Sequence, residues 1–456
     1  MLSSSKRIDL CNGPIFLKVL KYTLPIICTS ILQLLFNAAD LVVVGRFCGS
    51  NSVGAVGATS SLIHMIVNLF IGTATGVSVA IANAVGSDDE NAVSRIVHTA
   101  IPLSLIIGSI LTVLGATLST PMLKIMDTPT DILPLSSLYT RIYFCGMIPS
   151  LVFEFSAAIY RASGDTQTPL KYLSLAGFIN VLLNIFFVTV IDLDVAGVAL
   201  ATVISQTVSC VLIILALIRR DDYFKLKFRQ MRVYFDVFKK IIKIGLPAGV
   251  QSSIFSMSNV IIQSSVNSFG SVAVAGNAAA ANIEQFVYVT MNSFYQTSLN
   301  FTGQNVGAKK SERIFKSLRT NIICAVTLGA VLGSIIFYFA DNLLSIYITD
   351  KVASIAYGMK RMSYVGRFYF LCGAMEVLTG AIRGMGKSLV TMIISIVGIC
   401  GVRLGWIFTI FRIEQFHTLD SLYFSYIISW IACIIAQIFA FTILYKKFKK
   451  NLSLQT

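Results

Sequence analysis

Charge is scarce in this chain. Asp, Glu, Lys and Arg make up 12% of its 456 residues, where a soluble globular protein carries about 25%. That excludes an ordinary soluble domain. Histidine is rarer still: His64, His98 and His417 lie far apart, with no spacing that would hold a transition metal. Nine cysteines occur singly, without a C-x-x-C pair, which argues against thiol redox or zinc-ribbon chemistry. No nucleophile with its base and no pair of catalytic acids stands out, so neither an enzyme nor a cofactor is expected. The N-terminus also lacks a signal peptide. Lys18 and Lys21 precede the first apolar run and no cleavage site follows it, which predicts an uncleaved first helix.

Apolar residues fill the space that charge vacates. They make up 55% of the chain, with a mean hydropathy of +0.79. Runs of about 20 residues, enough to cross a roughly 30 Å hydrocarbon layer as helices, recur throughout. Twelve such spans are expected, at 17–45, 53–82, 96–119, 137–160, 170–190, 196–218, 241–268, 275–302, 318–340, 357–381, 389–411 and 421–445.

A net charge of +15 is common in nucleic-acid-binding chains, but its placement here argues against that. Basic clusters at Lys6–Lys21, Arg219–Lys243, Lys309–Arg319 and Lys446–Lys450 all flank apolar spans, and 27 of the 36 Lys and Arg fall on one side. This is the positive-inside pattern. It predicts a multi-pass protein of the plasma (inner) membrane with both termini cytoplasmic, and no nucleic-acid partner.

The chain also repeats itself. "KYTLP" at 21–25 returns as "KIGLP" at 243–247, and "AIYRASG" at 158–164 as "AIRGMG" at 381–386. "NAVGSDDENAVSRIVHTAI" at 83–101 shares its register with "QNVGAKKSERIFKSLRTNI" at 304–322. Two six-helix lobes are therefore expected, at residues 1–218 and 244–456, joined by a cytoplasmic loop at 219–243. Six is even, so both lobes enter from the same face. A pseudo-two-fold axis along the membrane normal follows.

These residues carry a family resemblance. "LLFNAADLVVVGRFCGSNSVGAVG", "NAVGSDDENAVSR", "YRASGDTQTP", "FTGQNVGAKKSER" and "IRGMGKS" resemble the multidrug and toxic compound extrusion (MATE) family across essentially the whole chain. The resemblance implies two six-helix lobes and a carboxylate in the first helix. It also implies export of organic cations and other amphiphilic compounds in exchange for inward Na⁺ or H⁺.

Asp40 is that carboxylate. With Gln33 and Asn37 it forms a polar stripe on one helix face, and an ionisable residue inside a span is a functional site by default. The alternatives are an acid reaching the outer headgroups, or a pair with Arg46. Counting inward from the outer surface puts Asp40, Asn184 and Thr202 at similar depth, with Asn180 a turn deeper. One carboxylate, two amides and a hydroxyl suit a small hard cation or a protonated acid. The same four residues can instead bond helices together. In the resembling family these four positions form the cation site of the first lobe, often with a second acid where this chain has Asn184. That departure leaves proton coupling at least as well supported as Na⁺ coupling.

The second lobe keeps a polar stripe containing Asn259 and Gln263, but Ile262 stands in the repeat position of Asp40. Glu284 is the nearest acid, either a cation attractor or a solvated interfacial group. Glu154 and Glu376 each precede an arginine, Arg161 or Arg383, by seven residues, which suggests a shared scaffold role. Phe36, Tyr288 and Met291 could receive planar cations or simply pack. Pro25 interrupts the first span below the acid and is either a hinge or a tolerated kink.

The expected function is secondary active efflux by alternating access. The partners would be an amphiphilic or cationic small molecule and membrane lipid, with the protein a monomer. A lipid-linked oligosaccharide flippase shares this architecture. It calls for several basic residues inside the spans, where Arg141, Arg367 and Arg403 are the main ones and only the last is deep. A non-transport scaffold would call for longer outer loops than this chain has.

Overall fold

The computed structural model describes residues 7–348 and 352–454, except the side chains of Ser50, Ser61, His64, Met65 and Val352. His64 and Lys6, named above, thus lie wholly or partly outside the described residues. Every regular element described is helical. The chain runs through α1 (Ile15–Phe47), α2 (Ser50–Gly86), α3 (Glu90–Ile125), α4 (Leu133–Cys145 continuing as Met147–Ala162), α5 (Gln167–Thr189) and α6 (Asp194–Ile218). It continues through α7 (Phe235–Asn267), α8 (Ser271–Gly307), α9 (Ser311–Tyr338), α10 (Ala353–Gly366 continuing as Tyr369–Gly384), α11 (Ser388–Arg412) and α12 (Leu419–Ser453). This is an all-α membrane protein. The bends are 47° in α4 and 42° in α10.

The expected spans match these helices, overrunning them by one or two residues at 190, 268 and 340, with one correction. Eight helices are long and apolar enough to cross a membrane, or ten with each bent pair taken as one span. The leading helices of the second copy, α7 and α8, are 33 and 37 residues long but more polar. Ser252, Ser256, Asn259, Gln263, Asn277 and Asn300 dilute their hydropathy.

The duplication is visible in the backbone as well as in sequence. Left-handed residues recur at matched places: Gly49 (φ 92°) with Gly270 (φ 88°), Gly164 (φ 95°) with Gly386 (φ 77°), and Asp88 (φ 60°) with Lys309 (φ 56°). Gly164 is needed twice over. A Cβ there would sit 2.3 Å from the Ile8 carbonyl oxygen, and L side chains rarely adopt this φ.

The chain forms two compact units. One is built on Leu24–Gly249, the other on Val250 onward together with Asp9–Thr23. Each leading helix therefore changes unit along its length, close to a proline: Pro25 in α1 and Pro247 in α7. The first part of α7 packs on α2 through glycines. A Cβ on Gly249 would lie 1.9 Å from the Leu69 carbonyl oxygen, and one on Gly76 would lie 2.2 Å from that of Ile241. The first part of α1 packs on α8, where Thr23 and Thr297 hydroxyls meet at 2.8 Å and Tyr22 lies edge-on to Phe301. Small residues at such crossings let helices approach where lipid supplies no hydrophobic drive. Gly249→Val is accordingly expected to lower unfolding stability by about 1–3 kcal/mol through overpacking, read as a fall in the detergent melting temperature.

The loop at 219–243 is pinned to α3. His98, 2% exposed, bonds through Nδ1 to the Ser94 carbonyl (2.7 Å), while its Nε2 accepts from the Lys227 N–H (3.0 Å). That pattern fits one neutral tautomer and gives His98 a structural task.

Candidate functional site

In the first unit, three helices bring four polar side chains into a closed circuit. α5 supplies Asn180 and Asn184 one turn apart, α6 supplies Thr202, and α1 supplies Asp40. Asn184 Nδ2 donates to Asp40 Oδ1 and also to Asn180 Oδ1 at 3.2 Å. Asn180 Nδ2 reaches Thr202 Oγ1 at 3.4 Å, and Thr202 Oγ1 reaches Asp40 Oδ2 at 3.4 Å. Asn184 is fully buried and Asn180 is 5% exposed. Among the described residues Asp40 has no cation partner within 4 Å, Arg46 included.

One oxygen in the circuit is unused. Asn184 Oδ1 is buried and accepts no hydrogen bond from the described residues. An acceptor left unmade in a buried site is costly, and this one sits beside the carboxylate of Asp40. The residue set (a carboxylate, two amides and a hydroxyl) has the hard-oxygen chemistry of a small-cation site, although in the described geometry the Asn184 Nδ2 donor, not its oxygen, faces Asp40 and Asn180. A proton on Asp40 is the other fit: it turns an acceptor into a donor, and turning the Asn184 amide over offers the idle Oδ1 to it.

Close approach of α1 to α5 depends on a residue that sequence reading did not single out. Gly177 lies one turn before Asn180, and a Cβ on it would fall 1.7 Å from the Phe36 ring. Phe36 therefore packs across Gly177, half-buried. Gln33 and Asn37 share its helix but are exposed and stay outside the circuit.

The second unit is arranged differently. Ile262, in the Asp40 position, is 2% exposed in an apolar cluster with Val266 and Ala273. Glu284 is 1% exposed, so it is not a solvated acid. Arg361 clasps it with Nη2 at 2.8 Å and Nε at 3.1 Å. The same arginine donates to Asn277 Oδ1 at 2.7 Å, which also accepts from the Tyr423 hydroxyl at 3.0 Å. Asn277 Nδ2 continues to Gln263 Oε1 at 3.0 Å. Gln263 and Glu284 thus share one network, whereas Asn259 is exposed and Tyr288 half-buried. Met291 is fully buried, and a Cβ on Gly373 would lie 2.5 Å from its sulfur, which makes it a packing residue. Glu284→Gln would strand Arg361. A loss of about 3–5 kcal/mol of unfolding free energy is expected, measurable by denaturant titration in detergent.

The repeat-matched acids differ too. Glu154 lies 3.5 Å from Arg161. Arg383 instead turns to Gln251 (2.7 Å), the Tyr295 hydroxyl (2.7 Å) and Thr391 (3.2 Å).

The family profile described as MatE matches residues 25–187 and again 247–408. This chain belongs to the MatE family. The two matches start at Pro25 and Pro247, which is the sequence repeat in another form. MatE relatives span most of the chain: the Bacillus subtilis "Probable multidrug resistance protein YoeA" is 27% identical, covering 84% of each chain. The Thermotoga maritima "Probable multidrug resistance protein NorM" is 24% identical over 89% of this chain and 87% of its own. A solved structure described as the outward-facing conformation of a multidrug resistance MATE family transporter shares the fold. Its TM-score is 0.91 at 21% identity, over 98% of this chain and all of the other. The protein is thus a membrane-integral member of a multidrug efflux transporter family, which is not an enzyme family.

Within this MatE chain, sequence reasoning missed Gly177 and Arg361. Arg361 sits in "MKRMSY", beside Lys360 and at the start of its span. With Arg383, it raises the number of buried arginines above what the basic residues weighed against a flippase suggested. Among the described residues no group of His, Cys, Asp and Glu could hold a metal.

Proposed function

We propose that this protein is a secondary active exporter of amphiphilic or cationic small molecules, driven by inward H⁺ or Na⁺ bound at Asp40. It would act as a monomer in the plasma (inner) membrane, with both termini cytoplasmic as the basic clusters require. The circuit of Asp40, Asn180, Asn184 and Thr202, with its idle Asn184 Oδ1, is the observation that carries this reading. It supports a group whose hydrogen bonds change when a small cation arrives. A ligand drives a conformational change only by binding one state better than another, and rewiring at Asp40 supplies such a difference. Pro25, where α1 changes units, weakens the helix between the site and the cytoplasmic end and is the natural point of bending.

The test is dye export from proteoliposomes under separately imposed pH and Na⁺ gradients. Uphill export under one gradient and its collapse with the matching ionophore are the expected results. Identical movement with neither gradient would overturn the proposal.

A further inference from the structure

The second unit buries more positive than negative charge. Arg361, Arg383 and Arg403 all lie inside it, the last two 6% exposed. Of the unit's two buried acids only one answers them: Glu284 pairs with Arg361, whereas Glu376 has no ion pair within 4 Å among the described residues. Arg403 has no such partner. Among the described residues no carboxylate comes within 4 Å of it, and its one hydrogen bond runs from Nε to Ser429 Oγ at 2.9 Å. Nη1 and Nη2 therefore have no acceptor among those residues.

The surroundings are aromatic. The guanidinium lies 3.9 Å from the Tyr426 ring centroid and 5.9 Å from that of Trp430. Tyr426 also receives Arg361 from 5.8 Å. Ring faces stabilise a cation, but they leave its N–H donors unmet, and arginine cannot shed its charge. Arg403 follows a π-helical turn, Ile396–Gly401, a local widening frequent at functional sites. It stands about 13 Å along α11 from the helix's outer end, far deeper than an arginine at the interface.

We propose that Arg403, with Ser429, Tyr426 and Trp430, forms a subsite for the anionic group of an aromatic amphiphile, a carboxylate or phosphate. The unpartnered Nη1 and Nη2 groups match the bidentate geometry of such groups, and the Tyr426 ring holds the guanidinium in place. This inference rests on the transport reading above and narrows its substrate class. A purely cationic cargo leaves Arg403 idle, whereas a cargo carrying a negative group uses it.

The experiment compares two dyes in proteoliposomes: a rhodamine with a free carboxylate and its cationic ethyl ester. The full-length parent should show a lower KM for the carboxylate dye. Arg403→Gln should raise that KM about tenfold, the size of one lost charge-assisted hydrogen bond, and leave the ester unchanged. Arg403→Lys, which keeps charge without the fork, should fall between. Equal changes for both dyes in Arg403→Gln, or none, would overturn the subsite. Should Arg403→Gln fail to fold, the parent decides: export of the ester alone, or equal KM values, overturns it. Export of neither dye by the parent would count against the transport reading itself.

Discussion

Asp40→Asn is expected to abolish uphill export while leaving the folded protein intact. The substitution keeps the size of the side chain and can keep bonds to Asn184 and Thr202, so only the ionisable function is lost. In the parent, each pH unit across the membrane supplies about 1.4 kcal/mol per proton, enough for roughly a tenfold substrate gradient in one-for-one exchange. In Asp40→Asn that ratio should fall to about one under either a pH or a Na⁺ gradient, with downhill dye movement retained. The measurement is the steady-state dye ratio in proteoliposomes, with circular dichroism as a control on folding. Undiminished accumulation would remove Asp40 from coupling and with it the mechanism proposed here.

Much of this was legible before any coordinates. The long helices follow from hydropathy, which lipid enforces harshly because every backbone polar group must be satisfied internally, and the repeat follows from matched motifs such as "KYTLP" and "KIGLP". Depth counting then placed Asp40, Asn184 and Thr202 at one level with Asn180 a turn deeper, and the helices bring all four into contact. What the pattern hid depended on three-dimensional approach. Nothing in the periodicity of α5 says that Gly177 must lack a side chain; only the Phe36 ring says so. Arg361 was not singled out, and Glu284 looked available because its partner lies 77 positions away. The change of unit within α1 and α7 was likewise concealed, although the two prolines marked both places.

Gly177→Ala puts the approach of α1 and α5 to the test without touching a polar atom. Its new methyl would fall 1.7 Å from the Phe36 ring, closer than any real contact, so the ring or the helices must move. Phe36 is the neighbour one helical turn before Asp40, and a shift of α1 by even 1 Å would stretch hydrogen bonds that already reach 3.4 Å at Thr202. Overpacking of this kind typically costs about 1–3 kcal/mol, and misplacement of a site by about 1 Å can cost on the order of 100-fold in rate. Gradient-driven export should therefore fall at least tenfold while the protein still purifies as a folded species. The double variant Gly177→Ala with Phe36→Leu removes most of the ring and should recover part of the activity. A structural defect unrelated to the Asp40 circuit would show no such rescue, and full activity in Gly177→Ala alone would mean that the spacing of α1 and α5 does not set the coupling.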